Sequence, residues 1–155
     1  MTDDRELRHV ARSVLKENLY AVLGTADRDG RPWVSPVFYT LAGYGELSWI
    51  SEPGAWHSRN IAVRPEVSLV VFDSRVPVGG ATAVYMCGVA AEVSGAAIAA
   101  AAARYNEASL AKGGQAVDLA EVSPGGRFRL YRATVGEHWL REPRTAAAGR
   151  VPVTP

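Results

Sequence analysis

The chain reads as mainly β with some helix (α+β): a six-stranded antiparallel barrel with peripheral helices. Two observations predict it. About six strand-like runs follow one another in hairpin order, and the helical segments lie at the margins rather than between parallel strands. Turn signals at Asp27-Arg28-Asp29-Gly30 and Gly43-Tyr44-Gly45 leave room only for tight connections.

Each element has its own signal. Leu7, Val10, Ala11, Val14 and Leu15 recur at helical spacing, with Asp3 and Asp4 at the start, and predict a helix ending near Glu17-Asn18. Leu19 to Thr25 reads as the first strand, and Gly30 is free to take positive φ in the turn that follows. Pro32 to Leu41 is the second strand, and Pro36 inside it requires an edge or a bulge. Glu46 to Ser51 is the third. A short helix from about Ala55 to Val63 stops before Pro65. Val67 to Asp73 is a β-branched run expected to be fully buried, and Ala81 to Ser94 a long fifth strand. The alanine-rich segment from Ala96 to Leu110 favours helix and ends before Gly113-Gly114. Arg127 to Thr134 alternates as a strand, with Val135 to Leu140 extending it as a hairpin. Residues 1–143 form one domain. Residues 144–155 lack periodicity and are expected to be a disordered tail.

Composition narrows the function. A length of 155 residues, 48% hydrophobic and 21% charged, fits a single globular domain. A formal charge of +1 without a basic block argues against nucleic acid or an anionic membrane as partner. Lys16 and Lys112 are the only lysines; the other cations are arginines, which suit fixed phosphate contacts. The single cysteine, Cys87, excludes an internal disulfide and is expected to be an inert core thiol. Neither a signal-peptide pattern nor an apolar run long enough to span a bilayer is evident, so the cytoplasm is the expected location. His9 and His138 show no ligand spacing, and no metal site is expected. No nucleophile elbow supports hydrolysis.

The chemistry concentrates after the third strand. His57, Ser58 and Arg59 fall in the first turn of the short helix, where free N–H groups and a cation together suit a phosphate. Surface roles for His57 and Arg59 stand beside this reading. Trp33, Trp49, Trp56 and Trp139 are by default core or interface residues, and of these only Trp139 is a candidate for stacking on a ring.

Gly30-Arg31-Pro32-Trp33-Val34-Ser35-Pro36-Val37, then Ser51, His57, Arg59-Asn60-Ile61 and Pro65-Glu66-Val67-Ser68-Leu69, form an ordered set of motifs. Through them the chain resembles the pyridoxamine 5′-phosphate oxidase-like superfamily of flavin-binding split β-barrels. The likeness covers Leu19 to Ser94 and extends less specifically to Phe128–Thr134 and His138-Trp139.

The resemblance implies a homodimer with FMN, or a deazaflavin coenzyme, at the subunit interface. It implies that Val34, Ser35, Pro36 and Val37 run along the ring edge, and that Ser51, His57 and Arg59 hold the phosphate with Asn60 nearby. Trp139 would pack by the ring. Departures from the family pattern are also plain. Ser35 and the Trp56-His57 pair replace the arginine and the Arg-Lys pair of the true oxidases, and no Arg-x-His motif follows Trp139, which argues against oxidation of vitamin B6 phosphates. At His57, a neutral imidazole brings less charge than the usual lysine. The leading reading is an FMN-dependent oxidoreductase acting on a small molecule. One alternative is a deazaflavin-dependent reductase, whose anionic tail would use Arg31, Arg64 and Arg75; another is a non-catalytic flavin-binding module. No proton-transfer residue is singled out beyond Tyr39 and Tyr44, the nearest possible donors.

Overall fold

Asp3 opens the first helix, its carboxylate accepting the Arg5 N–H at 3.2 Å. The helix, α1, runs Asp4–Glu17 and buries Leu7, Ala11 and Leu15, one residue per turn on a single face. The computed structural model describes residues 3–141, 143 and 149–155. After α1 come β1 (Tyr20–Ala26), β2 (Pro32–Phe38), β3 (Thr40–Ala42), β4 (Glu46–Ser51), α2 (Trp56–Val63), β5 (Glu66–Phe72) and β6 (Ala83–Glu92). They are followed by α3 (Ile98–Ala111), α4 (Leu119–Val122), β7 (Arg129–Arg141) and β8 (Val151–Pro152).

The strands make one antiparallel sheet in the order β2-β1-β5-β6-β7-β4-β3, with β8 paired to β7. β2 and β3 are the two ends of that order, yet only Tyr39 separates them in the chain. The sheet therefore has to curl until its ends meet, which is what makes it a split barrel. Leu23, Leu47, Trp49, Leu69, Val84, Met86 and Ala133 fill the interior, joined by the buried face of α1. A second cluster, with Val93, Ile98, Ala102, Tyr105, Val122 and Leu130, seats α3 and α4 against the outside.

The β1–β2 hairpin follows from its turn. The Asp27 carboxylate accepts the N–H groups of Asp29 and Arg31, each at 2.9 Å, and Gly30 takes φ +85°. β2 is an edge strand, as Pro36 requires. The Tyr39 N–H donates to Leu19 O at 3.3 Å in the same register, so with a period of two the N–H groups of Trp33, Ser35 and Val37 point to β1. Positions 32, 34, 36 and 38 point away from the sheet, and two of them are prolines, which have no N–H to leave unpaired.

Several expectations are corrected. The strand expected over Pro32–Leu41 divides at Tyr39 into β2 and β3. Instead of a hairpin over Val135–Leu140, β7 continues as a single strand with a bulge. Cys87 pairs Glu137 and Gly88 pairs Val135, which leaves Gly136 unmatched. β5 is not fully buried: Val67, Leu69 and Val71 face the core, while Ser68 and Phe72 alternate to the other, exposed side. Cys87 is exposed rather than a core thiol, since Met86 takes the inward position and alternation turns its neighbour outward. The four-residue α4 carries no periodicity signal in the sequence. Of the expected tail, residues 144–148 lie outside the described residues, and Val151 and Pro152 pair with Leu140 and Trp139.

The β6–β7 pairing is close at one point. A Cβ on Gly88 would sit 2.3 Å from the Thr134 carbonyl oxygen, whereas one on Gly45 meets nothing within 4 Å. Gly88→Ala should cost about 1–3 kcal/mol, lowering Tm by roughly 2–4 °C for each kcal/mol, with Gly45→Ala close to wild type. A Gly88→Ala protein melting with the wild type would contradict the close strand approach described here.

Candidate functional site

The barrel end beneath α2 gathers a chain of polar side chains. Alternation along β2 turns Ser35 toward α2, and β4 ends at Ser51 on the other side. His57 lies between them, with Nδ1 3.1 Å from Ser35 Oγ and Nε2 2.7 Å from Ser51 Oγ. Trp33 Nε1–H donates to Ser35 Oγ at 3.1 Å. Either neutral tautomer pairs all but one hydrogen. With Nε2–H, Ser35 donates to His57 Nδ1 and the Ser51 hydroxyl hydrogen is left to donate outward; with Nδ1–H, Ser51 donates to Nε2 and the Ser35 hydrogen is left. Burial holds the His57 pKa below its ordinary value, so the imidazole is neutral near pH 7.

The start of α2 adds donors. Its N-cap residue is Ala55, which offers no side-chain cap, and the first helical N–H with a helical partner is that of Arg59, to Ala55 O at 3.0 Å. The N–H groups of Trp56, His57 and Ser58 are thus left without an acceptor within the helix. The Arg59 guanidinium lies 5.5 Å over the Trp56 ring and makes no ion pair among the described residues. Glu52, which follows Ser51 in the chain, is ion-paired with Arg127 at 2.9 Å. Together these features make a candidate site for an anion: backbone donors without a helical acceptor, a hydroxyl, and a guanidinium with no ion pair among the described residues.

Beside the anion site stands an aromatic wall. Trp33 and Trp56 stack with centroids 4.8 Å apart, and both are exposed. Along the outer edge of β2, Val34 keeps a free N–H and Pro36 a free carbonyl. A flat ligand with hydrogen-bonding edges could align against such an edge.

The other candidates fall into place unevenly. Ser35, Ser51 and His57 form one cluster, and Arg59 and the Val34–Val37 edge lie next to it. Asn60 turns inward instead, 6% exposed, and its Nδ2 donates to Thr25 Oγ1 at 3.0 Å. Trp139 is remote. It pairs Tyr85, which pairs Val70, then Val22, then Pro36, all on the outer face of the sheet. Four strand spacings of about 4.8 Å put Trp139 roughly 19 Å around the barrel from Pro36. There it lines a cavity of about 650 Å³ with Tyr85, Cys87 and Arg150, whose guanidinium lies 4.5 Å over the Tyr85 ring.

The possible proton donors do not reach the anion site. Tyr39 is fully buried, its hydroxyl donating to Leu15 O at 2.6 Å, and burial raises its pKa far above the usual value. Tyr44 is covered by Arg12 and Lys16, whose charged groups lie 5.1 and 5.7 Å from its ring centroid. Sequence reasoning had no signal for the Ser35–His57–Ser51 connection, which depends on the barrel closing. Among the described residues, no group of three or more His, Cys, Asp or Glu is placed to hold a metal ion, and no helix is long and apolar enough to cross a membrane.

Comparison with known proteins agrees with the fold. The family model for pyridoxamine 5′-phosphate oxidase matches residues 7–140. No curated protein matches the chain. Among solved structures, a heme binding protein from Mycobacterium smegmatis is similar, with 22% identity and a TM-score of 0.72 over 99% of this chain and 59% of that longer one. HutZ, the heme storage protein from Vibrio cholerae, has 21% identity and a TM-score of 0.62 over 88% and 94% of the two chains. An F420 reductase has 18% identity and a TM-score of 0.59, covering 82% of this chain and 94% of that one. At such identities, likeness to these structures shows the fold alone.

The placement of Asn60 yields a direct test. Asn60→Ala removes a buried hydrogen bond and leaves Thr25, 5% exposed, short of a partner. In urea, the midpoint should fall by an amount equivalent to about 1–3 kcal/mol with an unchanged m-value. An unchanged midpoint would show that Asn60 is not structural.

Proposed function

This chain belongs to the pyridoxamine 5′-phosphate oxidase family, and on that premise we propose that it binds FMN across a homodimer interface and acts as a cytoplasmic oxidoreductase on a small organic molecule. The observation that carries this reading is the anion site: an uncapped helix start beside Ser51, His57 and an unpaired Arg59. These residues fit the phosphate of FMN. Bound flavin would supply the electron transfer. The protein's own residues would bind and orient: Ser51 and the α2 N–H groups hold the anion, and the free Val34 N–H and Pro36 carbonyl meet polar atoms along a ring edge. Trp33 and Trp56 would keep water from one side.

The position of Trp139 supports the dimer. Within one chain it is too far around the barrel to share a ring with Pro36, so a contribution from Trp139 requires a second copy. The outer face between them carries Tyr20, Val34 and Phe72, at 60%, 65% and 40% exposure, and a twofold partner would cover such a face. Ser35, Trp56 and His57 stand where the true oxidases carry arginine or lysine, so vitamin B6 phosphates are not the proposed substrates.

Two other readings have less to rest on. A deazaflavin with a long anionic tail would call on Arg31, Arg64 and Arg75. Arg64, however, donates to Asp27 O and Arg28 O across the hairpin turn, and Arg75 is closed on Asp73 at 2.9 Å. Heme held by histidine would need a free imidazole nitrogen. Both nitrogens of His57 are engaged, and His138 Nε2–H donates to Tyr44 O at 2.8 Å, leaving only His9 with an exposed ring. Absorption after cofactor loading separates the first two: a band near ~450 nm for flavin, near ~420 nm for deazaflavin.

Titration with FMN tests the phosphate contacts. Arg59→Ala should weaken binding about ten- to a hundredfold, while Arg64→Ala, committed to the hairpin turn, should leave it unchanged. Equal losses would place the phosphate elsewhere. In the same titrations, affinity should rise as pH falls below about 7. The free His57 pKa is depressed, a phosphate dianion raises it in the complex, and protons taken up on binding favour the complex between those two values. The phosphate's own protonation near pH ~6 flattens the acidic end. His57→Gln should abolish the slope.

Light scattering at micromolar concentration should return a dimer. A monomer would remove the interface site.

A further inference from the structure

Both lysines of the chain line one cavity. It measures about 330 Å³ and lies between the end of α1, the β3–β4 turn and the end of α3, with Lys16, Leu41, Tyr44, Ala108, Ala111 and Lys112 on its walls. That volume is within the range of small-molecule sites. The lining mixes two lysines with aliphatic carbons and an aromatic ring, Lys16 Nζ lying 5.7 Å from the Tyr44 ring centroid.

The charge here is uncompensated. Among the described residues, no carboxylate lies within 4.0 Å of Lys16, Lys112 or the neighbouring Arg12. Cations at the C-terminal ends of helices are common because of the helix dipole, and this accounts for Lys16 on the last turn of α1. Lys112, the C-cap residue of α3, also stands at a helix end, but its side chain has a further partner. That side chain folds away from α3, places Nζ 3.7 Å from the Tyr39 ring centroid and donates to Tyr39 O at 3.0 Å. One of its three N–H donors is used there. Burial without a counter-charge depresses the Lys112 pKa to about 8. A half-buried ammonium held at a cavity wall with donors to spare is stabilised by an anion entering the cavity.

We propose that this cavity binds a small organic carboxylate, its anion between Lys112 and Lys16 and its apolar body against Leu41, Tyr44, Ala108 and Ala111. The site is separate from the anion site under α2. Tyr39 lies four residues along the chain from Ser35, about 13 Å in extended conformation, so a carboxylate here leaves the His57 cluster open. The two can be occupied together, and the proposal does not rest on the cofactor reading.

The probe is octanoate, followed by calorimetry on the purified protein, with octanamide as its uncharged counterpart. Octanoate should bind at least about tenfold more tightly than octanamide. Lys16→Gln and Lys112→Gln should each reduce octanoate affinity several-fold and leave octanamide binding unchanged. Lys112 also holds the Tyr39 carbonyl between β2 and β3, so Lys16→Gln, on an exposed residue, keeps the test valid if the Lys112 variant fails to fold. NMR of lysine side-chain carbons supplies a second readout, since only two lysines contribute. The titratable and charged groups that face the cavity are Lys16, Tyr44, Tyr39 and Arg12, and octanoate should raise the Lys112 pKa above its free value of about 8. Equal binding of octanoate and octanamide, full affinity in Lys16→Gln, or a Lys112 titration indifferent to octanoate would each overturn the proposal. Octanoate competing with FMN would also overturn it, by placing the anion under α2.

Discussion

The barrel turns on a single residue. Tyr39 joins the two ends of the sheet, so its backbone must pass from one edge strand to the other within one peptide unit on each side. It is held from three directions. Its N–H donates to Leu19 O, its hydroxyl to Leu15 O at the end of α1, and its carbonyl accepts from Lys112 at the end of α3. Two helices far apart in sequence are thus pinned to the point where the barrel closes. A buried tyrosine hydroxyl without a partner would be costly, so the α1 carbonyl is as much a part of the closure as the ring.

Closure also assembles the candidate site. Ser35 belongs to one end of the sheet, while Ser51 lies on β4, next to the other end. They approach a common histidine only because the ends are brought round. The anion site is in this sense a consequence of topology: α2 leaves β4, crosses the barrel mouth and presents His57 to both hydroxyls. The absence of a capping side chain at Ala55 then keeps the first backbone donors of α2 available.

Much of the architecture was legible in the sequence because its signals are local. Apolar spacing marks α1, the Asp27–Gly30 turn marks the first hairpin, and Pro36 marks an edge. What could not be read depends on distant neighbours. Nothing local distinguishes a β-branched strand buried on both faces from β5, which is covered on one. Cys87 reads as core because its neighbours are apolar, but alternation beside Met86 decides its direction. The unmatched Gly136 could be recognised only once β6 was placed alongside. At the candidate site, the residue types and order pointed to Ser51, His57 and Arg59. Asn60, in the same motif, proved to hold Thr25, a partner 35 positions away.

The outer edge of β2 has one more consequence. An exposed sheet edge is ordinarily a template for a further strand, and chains that leave one open risk stacking edge to edge into aggregates. Here prolines occupy alternate outward positions, so a strand docking on β2 would find N–H donors only at Val34 and Phe38 and would lose every second donor of its ladder, though the carbonyls remain. The interruption leaves isolated hydrogen-bonding groups, enough for a small ligand and too few for another strand. The same two prolines therefore make the edge a poor seed for polymerisation.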